Sequence, residues 1–519
     1  MKHFPVIYPI LFSMNPSLIL LAANVNYIGL SELFPQIIIL PLIATASLVL
    51  LNFWLKNIDR AAFIVFIFYF WFFNFGAIRN FAGNLTISQS TDNIHWLIFA
   101  IWTAIFLFIC SNPVWRRIRN PKALTSYLTI LTVGLLFISS YKIVVHYGAL
   151  IYTHNKQEKD PVINSINLES SLQPDIYYII LDGYARADVL NKIYEYDNSE
   201  FLISLKDRGF YIAEKSQSDY MQTALSLSSS LNLDYLSDLP KKMTDRGMLR
   251  GLIKYNRVKT LLEKLGYKTV FFASNYLPTD VPEANIYLSS PNVSSAHYLD
   301  SLLIYNSVAI IPVENHWLDL PMARFNQQHE RVQYTLERVS NLSDIPGPKF
   351  VFAHITAPHP PFVFDSHGPI NSDQVFYLFD GDTSFTSDQN YIDGYIEQMT
   401  YINHQVLTML DGILANSKTP PIIILQGDHG PGAYWDNMSA ERTCLKERFS
   451  ILNAYHLPDH GNNNLYASIS PVNTFRVIFN TYFNTDFDIL ENRNYFSLWN
   501  QPYGFIDVTG KTETECKIP

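Results

Sequence analysis

The chain has 519 residues, of which 48% are hydrophobic and 16% are charged, and its formal net charge is −9. This length allows two or three domains. The charge is unevenly divided, because residues 1–150 contain nine Lys/Arg and three Asp/Glu, whereas the remaining residues contain 28 and 43. The acidic second part argues against nucleic acid as a partner.

The first 150 residues are predicted to form an α-helical membrane domain of five spans. Segments such as "AAFIVFIFYFWFFNF" are apolar on every side, unlike a surface helix, and each segment is about long enough to cross the hydrocarbon core. A cleaved signal peptide is the alternative for the first segment, but no small-residue cleavage site precedes a mature domain and four more segments follow. The five segments are 5–25, 33–55, 61–82, 94–112 and 124–147.

The basic residues of the short loops predict the orientation of this domain. Two of them lie between the second and third segments and four between the fourth and fifth: Lys56, Arg60, Arg116, Arg117, Arg119 and Lys122. Both loops should be cytoplasmic, and an odd number of spans then puts the chain after residue 150 outside. We expect residues 151–172 to form a linker or a surface helix, and residues 173–519 to form an extracytoplasmic domain.

Cysteine is sparse, with Cys110 in the fourth segment and Cys444 and Cys516 in the external part. An extracytoplasmic compartment permits a disulfide, and Cys444 and Cys516 are the only pair available there. The sequence leaves open whether they are bonded. Their spacing does not indicate a zinc finger or a thiol catalyst.

Beyond residue 172, short apolar strands alternate with helices. One predicted helix ends at Leu265, before Gly266 and a strand that ends at Phe272, and another covers residues 391–414. Alternation of this kind predicts an α/β fold with a doubly wound, mainly parallel sheet. The other predicted strands are Ile176–Leu181, Phe350–Ile355 and Ile422–Leu425.

Polar residues follow several of these strands. Asp182 comes directly after the first strand, His359 lies just past the third, and Asp428 and His429 follow the last. A parallel sheet brings such strand ends to one edge, where α/β proteins bind ligands. Carboxylate and imidazole are ordinary ligands of zinc and other divalent ions. The alternative for Asp428 and His429 is turn chemistry, since Asp-Gly and His-Gly are common in turns.

A nucleophile is available in the segment "SDYMQTALSLSSSLNLDYL". Thr223 opens a run of small and hydroxyl residues, and a divalent metal together with a helix N-terminus could activate its hydroxyl group. The alternative is that these hydroxyl groups only cap a helix. The serines at positions 226, 228, 229 and 230 leave the choice of nucleophile open at this point.

The ordered set "IILDGYARADVL", "YMQTALSLSSSLN", "APHPPF" and "ILQGDHG" resembles the alkaline phosphatase/sulfatase superfamily. With the preceding apolar segments, the chain is most similar to the membrane-anchored branch of phosphoethanolamine transferases and lipoteichoic acid synthases. The resemblance covers about residues 174–480 and implies a doubly wound sheet with one or two divalent ions at its edge.

The resemblance also implies roles for individual residues. Asp182, Asp428 and His429 correspond to metal ligands, and Thr223 corresponds to a metal-bound threonine nucleophile. His359 corresponds to the histidine that contacts the substrate phosphate or the leaving group. His354 is its rival and a candidate for substrate binding, as is Asn275.

The implied function is transfer of a phosphoethanolamine- or phosphoglycerol-type head group from a membrane phospholipid, through a phosphothreonine, to an envelope glycan or lipid. Zinc or manganese is the expected cofactor, and the bacterial inner membrane is the expected location. The alternatives are a metal-dependent hydrolase of phosphodiesters, phosphonates or sulfate esters, and a non-catalytic envelope protein with a degenerate sulfatase fold. The C/S-x-P-x-R motif of true sulfatases is absent, which disfavours sulfate-ester hydrolysis.

Overall fold

The computed structural model describes residues 6–516 except 27, 86–91, 161–172, 292–297, 316, 318–323, 343 and 370–387. The helices are α1 (Tyr8–Ser13), α2 (Asn15–Ala23), α3 (Leu33–Leu55), α4 (Ile58–Phe73), α5 (Phe75–Leu85), α6 (Asp92–Ile109), α7 (Asn112–Arg117), α8 (Pro121–Glu158), α9 (Ala187–Ile193), α10 (Ser199–Asp207), α11 (Thr223–Asn232), α12 (Gly247–Lys254), α13 (Arg257–Lys264), α14 (Tyr298–Asn306), α15 (Ile310–Glu314), α16 (Arg324–Val339), α17 (Asp388–Asn416), α18 (Leu445–Phe449) and α19 (Pro471–Tyr482).

The strands are β1 (Ile176–Leu181), β2 (Tyr211–Ile212), β3 (Lys268–Phe272), β4 (Ile286–Leu288), β5 (Lys349–Ile355), β6 (Phe364–Asp365), β7 (Gly368–Pro369), β8 (Ile422–Gln426), β9 (Asn453–His456), β10 (Tyr495–Leu498) and β11 (Gln501–Asp507). The strands that the sequence predicts around 176, 272, 350 and 422 are all present. The long helix predicted over 391–414 is α17.

The chain forms two compact units, Met1–Tyr147 with Ser295–Met322, and Gly148–Ser294 with Ala323–Pro519. The first unit therefore includes a segment from within the range predicted to be the external domain. Backbone contacts hold this segment in the first unit, because the N–H of Val308 donates to the carbonyl of Phe72 at 2.9 Å. Helix α8 reaches Glu158, so the beginning of the predicted linker is helical, and residues 161–172 of that linker lie outside the described residues.

The prediction of five membrane spans is not confirmed. Among the described residues, two helical segments are long and apolar enough to cross a membrane, Leu30–Leu55 and Pro121–Glu158. The pair α4 and α5 makes a third if it counts as one span, but it bends by 47° at a break. Asn74 lies at this break as the C-cap of α4, which ends at Phe73. The side-chain amide of Asn74 donates to the carbonyl of Phe70. The remaining two predicted segments form shorter apolar helices.

The second unit contains a seven-stranded sheet in the order β2-β9-β8-β1-β5-β3-β4. Strand β9 runs antiparallel to both of its neighbours, and the pairs from β8 through β4 are parallel. The register aligns Ile180 of β1 with Gln426 of β8 on one side and with His354 of β5 on the other. The carboxyl ends of β8, β1 and β5 therefore meet at one edge of the sheet.

Both faces of the sheet are covered, which is why its central strands are apolar along their whole length. Residues Tyr177, Ile179 and Leu181 of β1 pack into the core on one face, together with α17. Alternate residues, including Tyr178 and Ile180, pack into the core on the other face, together with α11 and α19. All six residues of β1 are buried. This arrangement matches the predicted helices on both faces of a mainly parallel sheet.

Orientation in the membrane is testable because α8 separates two accessible positions. A reporter enzyme that is active only outside the cytoplasm should be active when fused after residue 160 and silent when fused at residue 118. The physical reason is the cluster of basic residues before α8, which favours the cytoplasmic side. Activity in cells expressing the two fusions measures the outcome.

A second reporter, active only inside the cytoplasm, provides the control and should give the opposite pattern. An external signal from residue 118 would reverse the orientation and place the second unit in the cytoplasm.

Candidate active site

The candidate site lies past the carboxyl ends of the three neighbouring strands β8, β1 and β5. Asp182 follows β1 directly, and Asp428 and His429 lie just beyond β8. His354 is the last residue but one of β5. The sheet register therefore gathers side chains that are up to 247 positions apart in sequence, as the sequence pattern predicts.

Glycines flank these residues because the backbone passes too close to its neighbours for a side chain. A Cβ atom at Gly427 would lie 2.5 Å from the carbonyl oxygen of Tyr184, and one at Gly430 would lie 1.9 Å from that of Glu447. Gly183 has a φ of +72°, in the left-handed region that favours glycine. Its N–H donates to Oδ1 of Asp428 at 3.1 Å. The glycines thus let the two loops approach closely enough to share the site.

The Nε2 atom of His429 is the centre of the cluster. It lies 3.1 Å from Oγ1 of Thr223, 3.4 Å from Oδ2 of Asp428 and 3.5 Å from Oδ1 of Asp182. Nη2 of Arg448 is 3.4 Å from the same nitrogen. A potential nucleophile, two acids and a guanidinium group therefore surround one imidazole nitrogen.

The imidazole of His429 is held in its neutral form with a defined orientation. Its Nδ1 atom lies 2.8 Å from the carbonyl oxygen of Gly430, to which it donates. Burial lowers the pKa of His429 below its ordinary value, and the charge of Arg448 lowers it further. With Nδ1 protonated, the lone pair of Nε2 points at the carboxylates and at Thr223.

Burial alone would raise the pKa of Asp182, but the nearby imidazoles of His359, His354 and His429 outweigh it and hold the pKa well below its usual range. Asp182 is thus a buried carboxylate. Nε2 of His354 donates to Oδ2 of Asp182 at 3.1 Å, and Nδ1 of His354 is 2.9 Å from Oγ1 of Thr279. Both ring nitrogens of His354 are therefore engaged, and the ring fixes the position of Asp182.

The residues present fit a divalent cation. Oδ1 of Asp182 and Oδ2 of Asp428 are buried and have no hydrogen-bond partner among the described residues. Burying a carboxylate oxygen without a partner is costly. Zinc bonds of roughly 2.0–2.2 Å put the ligand atoms of one tetrahedron roughly 3.3–3.6 Å apart, close to the spacing around Nε2 of His429. The oxygen and imidazole donors are also those that zinc and manganese accept.

Thr223 is the first residue of α11, as expected for a nucleophile at a helix N-terminus. Its side chain is partly exposed, whereas every other residue of α11 is buried. The neighbouring serines make structural contacts: Ser228 donates to the carbonyl of Leu249, and Ser230 lies 3.0 Å from the hydroxyl of Tyr178. The hydroxyl group of Thr223, by contrast, lies 3.1 Å from Nε2 of His429 in the candidate site.

His359 lies at the mouth of the site and is partly exposed. Its ring centroid is 6.0 Å from that of His429, and its ligand atoms lie within 4.8 Å of those of Asp182 and His429. Nδ1 donates to the carbonyl of Pro360 at 2.6 Å. The side chain of Gln398, on α17, holds this loop by donating to the carbonyl of His359 at 3.0 Å.

The structure therefore brings together Asp182, Thr223, Asp428, His429 and His359. Substrate binding by His354 and by Asn275 stays a prediction. The contacts of His354 are those of a residue that orients Asp182. Asn275 is exposed and has a φ of +66°, a backbone conformation that Asn tolerates in turns.

Sequence reasoning missed Arg448 and the residues around it. Arg448 lies on the short helix α18, in a segment without a recognisable motif, and is 2% exposed. Its Nε donates to the carbonyl of Met221 at 2.9 Å and its Nη1 to that of Gly430 at 3.1 Å. The one signal available was an Arg in an apolar context, "ERFSILNAY", which predicts burial but not a location.

Cys444 and Cys516, whose pairing the sequence leaves open, form a disulfide bond with their Cα atoms 5.1 Å apart. Cys444 is the N-cap of α18, and its sulfur accepts a hydrogen bond from the N–H of Glu447. Lys446 of the same helix pairs with Glu515 at 3.1 Å. The C-terminal segment is thus fastened to the helix that carries Arg448.

No protein-family model matches this chain, and no curated protein sequence matches it. Solved structures that are similar to it include phosphoethanolamine transferases and a sulfatase. One is the integral membrane lipooligosaccharide phosphoethanolamine transferase A (EptA) from Neisseria meningitidis, with 11% identity, a TM-score of 0.42, and coverage of 92% of this chain and 94% of that one.

A second neighbour is the C-terminal periplasmic domain of EcEptC from Escherichia coli in complex with Zn, with 11% identity, a TM-score of 0.42, and coverage of 66% of this chain and 95% of that one. A third is BT1596, a 2-O GAG sulfatase, with 11% identity, a TM-score of 0.38, and coverage of 60% and 70%. The function proposed below rests on the geometry of this chain's own residues.

Metal content tests the site directly. Asp428→Asn and His429→Ala should each lower metal affinity by more than about 100-fold, because each removes a ligand atom. His354→Ala should cost about 10–100-fold, as is usual for a residue that orients a ligand. Elemental analysis of the purified full-length protein after dialysis against buffered zinc or manganese measures the effect.

Asp219→Asn is the matched control, since Asp219 is a fully buried aspartate outside the metal-ligand cluster. It should retain metal. Full metal occupancy in both Asp428→Asn and His429→Ala would show that the cluster does not bind the ion.

The pH dependence of stability is predicted for Asp219. Burial raises the pKa of this carboxyl to about 7, although the N–H of Val472 donates to it and lowers the pKa in part. In the unfolded chain it titrates near ~3.9. Between these values the folded protein holds a proton that the unfolded chain has lost, so stability falls as the pH rises from about 4 to 7.

Asp219→Asn should remove this part of the pH dependence, which melting temperatures of the full-length protein at several pH values would reveal. The exposed Asp238→Asn variant should keep the wild-type profile. An unchanged slope in Asp219→Asn would contradict the prediction.

Proposed function

We propose that the protein is an enzyme that transfers a phospho-alcohol head group from a membrane phospholipid to a hydroxyl group of an envelope glycan or lipid. The head group in this proposal is of the phosphoethanolamine or phosphoglycerol type. The observation that carries the proposal is the hydroxyl of Thr223, 3.1 Å from Nε2 of His429 and at the first position of α11. Two buried carboxylate oxygens, which have no hydrogen-bond partner among the described residues, lie 3.4 and 3.5 Å from the same nitrogen.

Asp182, Asp428, His429 and Thr223 would hold a divalent cation, with zinc or manganese as the candidates. When bound, such an ion lowers the pKa of a hydroxyl group and polarises a phosphoryl oxygen. The N-terminus of α11 adds to this, since its N–H groups and helix dipole favour negative charge on the Thr223 oxygen.

In the first step, the hydroxyl group of Thr223 loses its proton to solvent, and its Oγ1 attacks the phosphorus atom of the donor lipid. The bond between phosphorus and the lipid alcohol breaks, and a phosphothreonine diester that carries the head group forms. In this proposal the leaving alcohol takes a proton from His359, whose ring centroid lies 6.0 Å from that of His429. Because Nδ1 of His359 is bonded to the carbonyl of Pro360, the proton is given from Nε2.

In the second step, an acceptor hydroxyl group attacks the phosphorus of the phosphothreonine. His359, now neutral, takes the proton of the acceptor, and Thr223 leaves and regains a proton from solvent. One phosphodiester is consumed and another is formed, so no further reactant is needed. If water were the acceptor, the same first step would lead to hydrolysis.

The lipid donor is supported by the apolar helices, since two helical segments among the described residues are long and apolar enough to cross a membrane. Under the orientation proposed above, the protein lies in the inner membrane and the second unit is an extracytoplasmic catalytic unit. A degenerate, non-catalytic domain would have no need to keep two buried carboxylates and a hydroxyl group around one imidazole.

Thr223→Ala should lower transfer by at least roughly 10³-fold while expression and metal content persist, because the removed nucleophile has no substitute. Purified protein is incubated separately with phosphatidylethanolamine and phosphatidylglycerol, and peptide mass spectrometry reports the mass added. The adduct is expected on the peptide that contains Thr223, and its mass identifies the head group.

Ser228→Ala is the matched control, since this hydroxyl group belongs to the same helix but bonds to the carbonyl of Leu249. It should keep most of the activity. An adduct on a serine, or normal turnover by Thr223→Ala, would overturn the assignment. If the free head group is released when no acceptor is present, the enzyme is a hydrolase and not a transferase.

A further inference from the structure

Three buried side chains on one face of α17 hold the loops of the candidate site. Tyr391, Tyr395 and Gln398 are spaced four and three residues apart, so they lie on the same side of the helix. All three are buried. Each bonds to the backbone of a different loop, and these loops follow the strands β8, β1 and β5.

Tyr395 holds the loop that begins at Asp182. Its hydroxyl group donates to the carbonyl of Gly183 at 2.9 Å and accepts from the N–H of Ala185 at 3.1 Å. Backbone groups past the end of a strand lack partners in the sheet, and a buried group without a partner is costly. One hydroxyl group therefore satisfies two backbone groups of this loop and fixes its path directly after the carboxylate.

Tyr391 and Gln398 hold the loops on either side. The N–H of Gly432, in the loop after β8, donates to the hydroxyl oxygen of Tyr391 at 2.9 Å. The side-chain amide of Gln398 donates to the carbonyl of His359 at 3.0 Å and accepts from the N–H of Val363 at 2.8 Å. The hydroxyl group thus anchors the loop after β8, and the amide bridges two points of the loop after β5.

The order of these contacts along α17 matches the order of the strands. Positions 391, 395 and 398 contact the loops after β8, β1 and β5, and these strands are neighbours in that order in the sheet. An α-helix advances roughly 5.4 Å per turn, and neighbouring strands lie about 4.7–4.9 Å apart. About one turn of α17 therefore corresponds to each strand, so a single helix can set the spacing of all three loops.

We infer that Tyr391, Tyr395 and Gln398 are positioning residues of the proposed active site, which fix the loops of the metal ligands and of His359 relative to one another. The inference rests on the proposed function and adds the residues that hold its groups in place. Functional groups must be held within about 0.5 Å of their working geometry. Loops that the helix has already ordered do not have to lose conformational entropy when the ion binds.

The first test measures zinc binding by the full-length protein. Tyr391→Phe and Tyr395→Phe each remove a single hydroxyl group, and each should weaken zinc binding by about 10–100-fold, as is usual for a group that orients metal ligands. The visible absorption of bound Co²⁺, which depends on the geometry of its ligands, should change in both variants. Competition with a chelator and absorption spectra measure the two quantities.

Gln398→Met should give a different result, because Gln398 holds the loop of His359, which is not a metal ligand in the proposed function. Zinc affinity should be unchanged, while adduct formation on Thr223 should slow by about 10–100-fold, part of the effect that is typical of a general acid. Single-turnover mass spectrometry measures the rate. A side chain that only stabilised the fold would not separate the two quantities.

Tyr401→Phe is the matched control, since Tyr401 is a buried tyrosine of the same helix whose hydroxyl oxygen accepts from the side-chain amide of Gln333, on α16. It should keep the zinc affinity, the Co²⁺ absorption and the adduct formation of the wild type. Wild-type zinc affinity and Co²⁺ absorption in both Tyr391→Phe and Tyr395→Phe would overturn the inference.

Zinc binding also separates this inference from the proposed function. If the wild-type protein binds zinc but forms no adduct from either lipid, the transfer reaction fails, and the zinc affinities of the two tyrosine variants decide the inference. If those variants do not fold, hydrogen exchange of the wild-type protein decides. The N–H groups of Ala185 and Gly432, which donate to the two tyrosines, should exchange at least about 10-fold more slowly with zinc bound. Exchange that zinc leaves unchanged would overturn the inference.

Discussion

The site depends on keeping two carboxylates close together at the ends of adjacent strands. Ligand oxygens of Asp182 and Asp428 lie within 4.8 Å of each other. At an effective dielectric constant near ~20, two like charges at that separation repel by on the order of 3 kcal/mol. The nearby guanidinium group of Arg448 and the imidazoles offset part of this repulsion, and a divalent ion would offset more of it. The fold around the strand ends can be understood as the means of holding these charges in register.

Much of this arrangement could be predicted from sequence, because its determinants are local. An apolar run followed by Asp-Gly marks the end of β1, and one followed by Gly-Asp-His-Gly marks the end of β8. Parallel pairing then requires the two ends to meet. Thr223 is a candidate for a similar reason, since it opens a helical segment, but the choice between it and the neighbouring serines rests on the resemblance.

The features that were missed are set by contacts between distant segments. Nothing local distinguishes β9 as antiparallel, or shows that Arg448 of α18 lies against the loop that precedes Thr223. The hydropathy of a segment likewise does not show where a helix ends within it. Asn74 interrupts one predicted span, and the break before Asn15 and Pro16 divides another.

The C-terminal segment illustrates how remote parts of the chain support the site. A disulfide that joins residues 72 positions apart restricts the unfolded chain, which is worth about 4 kcal/mol in the chain-entropy model. Because Cys444 begins α18, this restriction acts on the helix that carries Arg448. Arg186 reinforces the arrangement by pairing with Glu513 at 3.1 Å, next to the same segment.

The serines beside Thr223 have a structural role in the packing of α11. Small side chains let α11 lie close to its neighbours, and their hydroxyl groups then bond across the short gaps, as Ser228 does with α12 and Ser230 with β1. The side-chain amide of Asn232, the last residue of α11, donates a hydrogen bond to the carbonyl of Leu252. These contacts hold α11 against α12 and β1. The run of hydroxyl residues that leaves the choice of nucleophile open in the sequence therefore helps to fix the position of Thr223 at the start of this helix.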